Sequence, residues 1–295
     1  METILRVEHV TKAYEEHVAV NDLSFEVFKG EVFGLLGPNG AGKTTTIRMI
    51  IDMIRPDQGS IYFGNHQRLP VEKIGYLPEE RGLYKKSKVR ETLIYFASLK
   101  NVPAKDAEKR VDFWLERFQL QSYSNHRCEE LSKGLQQKIQ FIATLIHEPE
   151  LLILDEPFSG LDPVNQLFIR ELIDELTRKG QTILLSAHQM DHIEKMCERI
   201  CMIHRGRMVL YGRIHDIKDQ YDDRQVRIQC AASEKDKLIP LLENANVTPS
   251  GIEGHLPEQK NFSSLLKEVG ERAEVQKVER VRPTLEQIFI EKVKL

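Results

Sequence analysis

The chemistry-bearing residues of this sequence fall in three short runs. In Gly37-Pro38-Asn39-Gly40-Ala41-Gly42-Lys43-Thr44-Thr45, the residues Gly37, Gly42, Lys43 and Thr44 complete the pattern G-x-x-x-x-G-K-[ST]. Glycines so spaced let backbone N–H groups curl round a phosphate at a helix N-terminus, Lys43 then reaches the β- and γ-phosphates, and Thr44 coordinates Mg²⁺. In Leu151-Leu152-Ile153-Leu154-Asp155-Glu156 an apolar run ends in two carboxylates. Asp155 can help to hold Mg²⁺ through its water shell, and Glu156 can polarise an attacking water. Behind a phosphate loop, that pair implies hydrolysis of a nucleotide γ-phosphate. The third run, Leu131-Ser132-Lys133-Gly134-Leu135-Gln136-Gln137, opens a helical pattern with Ser132 as its natural cap, so the helix N-terminus is free to face an anion.

These runs need elements to position them. Leu23, Phe25 and Val27 alternate with polar residues, Lys29-Gly30 makes a turn, and Val32 to Leu36 is a continuous apolar run, giving two strands of which the second is buried. The glycine loop follows, then the apolar stretch TIRMIIDMI, of helical length, stopped by Arg55-Pro56-Asp57. From Arg90 to Ala143 the pattern is mostly helical, with Trp114, Leu115 and Phe118 at helix-face spacing, and reads as a helical insertion. Strand character returns at Leu151 to Leu154, followed by a helix with Asp162 as cap, Pro163 as first position and a stop at Gly180. Thr182 to Ser186 is another buried strand of a parallel sheet, Asp191 to Glu198 a short helix, and Arg199–Ile203 with Met208–Tyr211 a hairpin round Arg205-Gly206.

Beyond Tyr211-Gly212 the chain turns polar in DIKDQYDDRQ, which places a domain boundary near Lys218 to Asp223. The remainder holds an alternating strand at Val226, Ile228 and Cys230, two helices and the terminal TLEQIFIEKV, and carries no motif with an evident chemistry. A length of 295 residues suits one large and one small domain. With 41% hydrophobic and 29% charged residues the chain is of a folded class, and its net charge of −3 excludes a nucleic-acid footprint resting on global basicity. The longest apolar runs fall far short of the ~20 residues of a membrane span, and the N-terminal residues lack the pattern of a secretory signal. Cys128, Cys197, Cys201 and Cys230 fit reduced thiols of a cytoplasm, and Cys197 and Cys201 have no second pair at metal-site spacing.

The ordered runs together resemble the ATP-binding-cassette (ABC) ATPases over residues 1 to about 215. Leu131 to Gln137 is similar to the signature sequence of that family. Gly37 to Thr45 match its first Walker motif, Leu151 to Glu156 its second, and Ser159-Gly160-Leu161-Asp162 the loop after it. Tyr14 stands where the family has an aromatic residue stacked on adenine, and His188, in SAHQM, stands at its switch histidine. The resemblance implies an α/β P-loop NTPase fold with a mainly parallel core sheet and N-terminal antiparallel strands. It implies an ATPase domain over residues 1–217, with a helical subdomain inserted at about 85–148, and a small α+β accessory domain over 218–295. Glu156 and His188 are then catalytic; Tyr14, the loop Gly37 to Thr45, Ser132 and Gly134 bind ATP; Thr44, Asp155 and Glu79 serve Mg²⁺.

Three positions depart from the commonest family pattern. Glu79, in IGYLPEERGL, replaces a glutamine that senses the γ-phosphate, and Lys133 and Leu135 replace a glycine and a glutamine of the signature. A carboxylate still binds Mg²⁺ or water but donates no amide hydrogen bond. In the family the signature helix of one subunit closes over ATP held by the phosphate loop of another, so the resemblance implies a dimer with itself or a similar chain. It also implies a separate membrane permease, reached through Glu79 to Tyr84 and the helical insertion, and a place on the cytoplasmic face of the membrane. GYLPEERGLY, LSKGLQQK and RPTLEQIFIE are similar to a bacterial export-type subfamily linked with sodium, drug or antibiotic-peptide efflux. Two other readings stand beside this one. A soluble ABC ATPase acting on ribosomes or nucleic acid usually has two cassettes, a long coiled-coil insertion or zinc-binding cysteines, which this sequence lacks. A regulatory module of low turnover accords with Glu79, Lys133 and Leu135, but Glu156 argues against it.

Overall fold

The structure, a computed structural model, describes residues 2–15, 17–64, 66, 70–80, 82–221 and 224–294. Arg81, within the expected coupling segment Glu79 to Tyr84, and Asp222 and Asp223, within the expected boundary, lie outside them. The chain divides into two compact units, Met1–Ile214 and His215–Leu295.

In the first unit β1 (Thr3–Tyr14) and β2 (His17–Phe28) form a long antiparallel hairpin, followed by β3 (Val32–Leu36), the glycine loop and α1 (Lys43–Ile50). Then come β4 (Gln58–Phe63), β5 (Ile74–Leu77) and the helices α2 (Val89–Leu99), α3 (Ala104–Arg117) and α4 (Lys133–Leu145). Next are β6 (Leu151–Asp155), α5 (Pro163–Arg178), β7 (Thr182–Ala187), α6 (Met190–Met196), β8 (Arg199–His204) and β9 (Arg207–Arg213). Strands β2-β1-β4 make an antiparallel sheet. The larger sheet runs β5-β6-β7-β3-β8-β9, parallel except for the final hairpin.

Every residue of β3, β6 and β7 is buried, which is why these strands read as unbroken apolar runs instead of alternating ones. Phe33 and Leu35 of β3 pack with Val20, Leu23, Phe25 and Val27 of β2 and with Ile47 and Ile50 of α1 in one core, so the phosphate loop hangs between two clamped elements. Helix α1 is shorter than its apolar stretch: it stops at Ile50, and Asp52 turns the chain at a φ of 57°. Asp162 caps α5 as its side chain predicts, accepting from the Asn165 N–H at 3.0 Å, with Pro163 first in the helix.

The second unit takes in all but the first residue of α7 (Ile214–Gln220), then β10 (Gln225–Cys230), α8 (Lys235–Leu238), β11 (Glu243–Thr248), β12 (Gly251–His255), α9 (Phe262–Arg272), β13 (Val275–Arg280) and α10 (Leu285–Lys294). From β10 to β13 this is a β-α-β-β-α-β chain with the spatial order β11-β12-β10-β13, the split-βαβ arrangement. Leu238, Leu265 and Val269 of the helices cover Val226, Ile228 and Ile252 on one face of the sheet. Of its strands the sequence signals only β10. Strands β11 and β13 are short and largely exposed or half-buried, and a strand that buries little carries no apolar alternation; β12 is buried but only five residues long and interrupted by Gly251 and Gly254.

Candidate functional site

The glycine loop is shaped by close approach as well as by phosphate chemistry. Gly37 has a φ of 152° and a Cβ there would lie 2.2 Å from the Ile203 carbonyl oxygen; Gly42, at a φ of 108°, would meet that of Ala19 at 2.5 Å. Side chains are excluded at both positions, so the loop folds tightly against β2 and β8 and presents backbone. Gly42 caps α1, whose first turn carries no acidic side chain, so its free N–H groups face the loop's concavity.

Lys43 is buried, and its ammonium donates to the Gly37 carbonyl at 2.8 Å and the Pro38 carbonyl at 3.3 Å. It also lies 3.3 Å from Glu156 Oε1. Glu156, only 7% exposed, receives His188 Nδ1 at 2.8 Å on its other oxygen. A carboxylate accepts, so Nδ1 carries the proton and Nε2 is the free ring nitrogen. Glu156 holds this place at a φ of 51°, a left-handed conformation that costs a glutamate about 1 kcal/mol or more.

Asp155 is 1% exposed, and its Oδ1 accepts from Ser186 Oγ at 2.5 Å while Oδ2 is buried with no hydrogen-bond partner. Burial raises its pKa above the usual range; the Ser186 and Thr44 hydroxyls pull it down, and the charges of Glu156 and Glu79 push it further up. A buried carboxylate oxygen without a donor, beside a threonine hydroxyl and under an exposed Glu79, is a set of hard oxygen ligands suited to Mg²⁺. The residues present therefore fit the ion.

A cleft of about 410 Å³ gathers most of the expected ATP residues: Tyr14, Asn39 to Thr45, Glu79 and Glu156, with His17 and Ala19. Tyr14 is 45% exposed on its rim, and the ammonium of Lys12 sits 5.7 Å from its ring centre. His188 opens instead into a neighbouring cleft of about 280 Å³ with Ser159, Gly160 and Gln189, and Glu156 borders both. Ser132 and Gly134 do not join the first cleft. Ser132 Oγ accepts the Leu135 N–H at 3.4 Å as the cap of α4, and Gly134 faces Asn165 of α5.

Three positioning residues lie outside the set that the sequence marked as catalytic, ATP-binding or metal-binding. Ser186 donates to Asp155 and accepts the Glu156 N–H at 3.0 Å, tying the end of β6 to β7. Gln137 donates to the Pro157 carbonyl at 2.8 Å and Gln140 to that of Glu80 at 3.2 Å, fastening α4 to the segments after β6 and β5. A polar residue ending a fully buried strand is the one sequence clue that pointed to Ser186.

A third cavity, of about 330 Å³, lies between the segment after β5 and the helices α2 and α4, lined by Tyr76, Pro78, Phe96, Leu99, Gln140 and His147 among others. Exposed Tyr84 and Tyr95 meet edge to face at 5.4 Å and extend its apolar rim. His147 is buried: Nε2 donates to the Ile74 carbonyl at 3.0 Å, and burial pushes its pKa down to about 4.

Residues 20–159 match the family model for the ABC transporter, and residues 212–293 that for the C-terminal domain of DrrA1-3-like ATP-binding proteins. The chain is 42% identical to the ABC transporter ATP-binding protein YhaQ of Bacillus subtilis (strain 168), over 98% of each. It is 38% identical to the Nod factor export ATP-binding protein I of Rhizobium etli, over 74% of this chain and 71% of that protein. Among solved structures it is similar to cbiO1 of Clostridium perfringens, part of the ABC transporter complex cbiONQ, with a TM-score of 0.66 and 27% identity over 75% of this chain and 92% of that one. A phosphate loop packed against a carboxylate-ended parallel strand, on a chain so matched along nearly its whole length, makes this protein a member of the ABC transporter ATP-binding family and an ATPase.

Proposed function

We propose that this chain hydrolyses ATP at Glu156 and that the resulting motion drives a separate membrane permease, in a transporter of the export type. The observation that carries the proposal is the placement of Glu156 between Lys43 of the phosphate loop and His188 at the end of β7.

In this reading Tyr14 stacks on adenine, and the N–H groups of Gly37 to Thr45, with Pro38 shaping the turn, hold the phosphates. Lys43 neutralises the β- and γ-phosphate oxygens on which charge accumulates as the terminal bond breaks. Thr44 and Asp155, with Glu79 beside them, hold Mg²⁺, which when bound polarises the phosphoryl oxygens. Glu156 accepts a proton from the attacking water, and its neighbours set the geometry: Ser186 anchors its backbone, and His188 orients its carboxylate.

Ser132 and Gly134 lie outside the ATP cleft of their own chain, which supports their action across a dimer. A second subunit, identical or similar, brings its α4 N-terminus to the γ-phosphate; loss of that phosphate then opens the dimer. The apolar cavity beside Pro78 and Phe96, continuous with the segment after Glu79, accommodates a helix of the permease, so a change at Glu79 moves the membrane partner. Among the described residues no helix is long and apolar enough to cross a membrane, which accords with a chain that sits on the cytoplasmic face and borrows its permease.

The test is purification of full-length Glu156→Gln with ATP and Mg²⁺ from detergent-solubilised cells. A stoichiometric partner with several membrane-spanning helices is the expected result. Ribosomes or nucleic acid in its place would overturn the transporter assignment and favour a soluble ABC ATPase.

A further inference from the structure

Both edge strands of the C-terminal sheet carry one break in their ladder, and they differ in the pairing beyond it. On β11 the ladder is broken between Glu243 and Asn246, and Asn244 has a φ of 50°, devices that blunt an edge against further pairing. At the other end of the strand order, the ladder of β13 is shifted between Val275 and Lys277, but from Lys277 to Arg280 it pairs with β10 in unbroken register, with partners Gln229, Ile228, Arg227 and Val226 in turn. Lys277 and Arg280 are exposed and Val278 is half-buried.

The hydrogen-bond pattern of this edge is readable. The Val281 N–H donates to the Gln225 carbonyl at 2.8 Å. Antiparallel ladders alternate, so Glu279 and Lys277 also turn their N–H and C=O groups to β10, and those of Val278 and Arg280 point outward. A second β13 meeting this edge antiparallel about a two-fold axis must therefore be centred on a residue, since registers between residues set an outward group against an inward one; centring on Arg280 opposes it to its own copy at the end of the strand, which leaves Lys277, Val278 and Glu279.

Charge decides among the three. Centring on Lys277 opposes it to its own copy, and centring on Glu279 does the same for the acid. Centring on Val278 places Lys277 directly across from Glu279 of the other chain, twice, with Val278 bonded to Val278. Within one chain Lys277 Nζ and Glu279 lie 2.5 Å apart, and Arg227 lies 3.7 Å from Glu279, on the sheet face that the helices leave bare. The paired edges thus continue a row of alternating charge. Charged side chains on an edge ordinarily deter association, but opposite charges directly across a ladder attract.

We propose that β13 is a homodimerisation edge, through which two copies of this chain join their C-terminal sheets about an axis at Val278, in a contact that needs no nucleotide. It is independent of the ATP-dependent closure proposed above, and the two are separable by experiment.

The first measurement is light scattering on the full-length, nucleotide-free chain at tens of micromolar. A dimer is expected; Glu279→Lys, which converts two opposed pairs into two like-charged ones, weakens it at least about tenfold, and the exchange Lys277→Glu with Glu279→Lys restores it. A monomer in the absence of ATP, or a dimer indifferent to Glu279→Lys, overturns the proposal. The second measurement does not depend on those variants. Chains carrying Lys277→Cys are mixed with differently tagged chains carrying Glu279→Cys and oxidised; the four native cysteines are buried. Opposed positions fall within disulfide reach, whereas copies of the same position are a diagonal step apart. Mixed dimers should therefore exceed either homodimer several-fold, and equal yields of all three, or none, would refute the register.

Discussion

Glu156 Oε2 and His188 Nδ1 lie 2.8 Å apart at the ends of the adjacent parallel strands β6 and β7, while Glu156 Oε1 faces the Lys43 ammonium at 3.3 Å. The three charged or polar groups that converge on the phosphate loop thus come from three separate stretches of chain, and each holds the next.

Glu156→Gln keeps the shape of the side chain but accepts no proton. Steady-state ATP hydrolysis should fall by about 10²-fold or more, with ATP affinity kept or raised, as read by phosphate release and by nucleotide binding at equilibrium. Unchanged turnover would remove Glu156 from the role of base.

His188→Ala removes the group that orients Glu156 without touching the phosphate loop. A drop of kcat by about 10²-fold with little change in KM is the expected split; a rise in KM alone would place His188 in nucleotide binding.

Asp155 illustrates a conflict between site and stability. Its folded-state pKa is raised, so its contribution to stability is present below its ordinary pKa of 3.8 and is lost as pH rises through the raised value. Asp155→Asn relieves that burial of charge. In thermal denaturation without nucleotide the variant should melt above the parent near pH 7, with the gap closing toward pH ~4, and Mg²⁺-dependent hydrolysis should be abolished. An Asp155→Asn chain that melts lower at neutral pH would refute this account.

His147 titrates with the opposite sense. Its pKa is lowered from 6.5 to about 4, so its neutral form contributes stability above pH 6.5 that is lost as the pH falls toward 4. The parent should lose melting temperature across that window more steeply than His147→Leu does. Parallel curves would show that the ring is hydrated in solution.

Tyr14→Ala tests the rim of the ATP cleft. Loss of a stacking partner should weaken ATP about tenfold while a triphosphate stripped of its base binds as before. Equal weakening of both would indicate that Tyr14 serves the hairpin between β1 and β2 and not adenine.

The phosphate loop, the carboxylate-ended strand and the Asp162 cap were legible along the chain because each is local. A glycine spacing, an apolar run and a cap need only a few consecutive residues to state their geometry, and buried parallel strands advertise themselves as unbroken apolar runs. The strands β11 and β13 were not legible, since they bury too little surface to impose a pattern on their residues, and β12 was hidden by its glycines, Gly251 and Gly254. Nor was the second coordination of the site. Ser186 reaches Asp155 and the Glu156 backbone across the register of β6 with β7, some thirty residues away in the chain. His147 is held neutral by its burial after the end of α4, against the pull of the Ile74 carbonyl, which favours its protonated form. Sequence spacing states which groups are present, whereas parallel pairing and helix docking, whose contacts are non-local, decide which of them touch and in what state of charge.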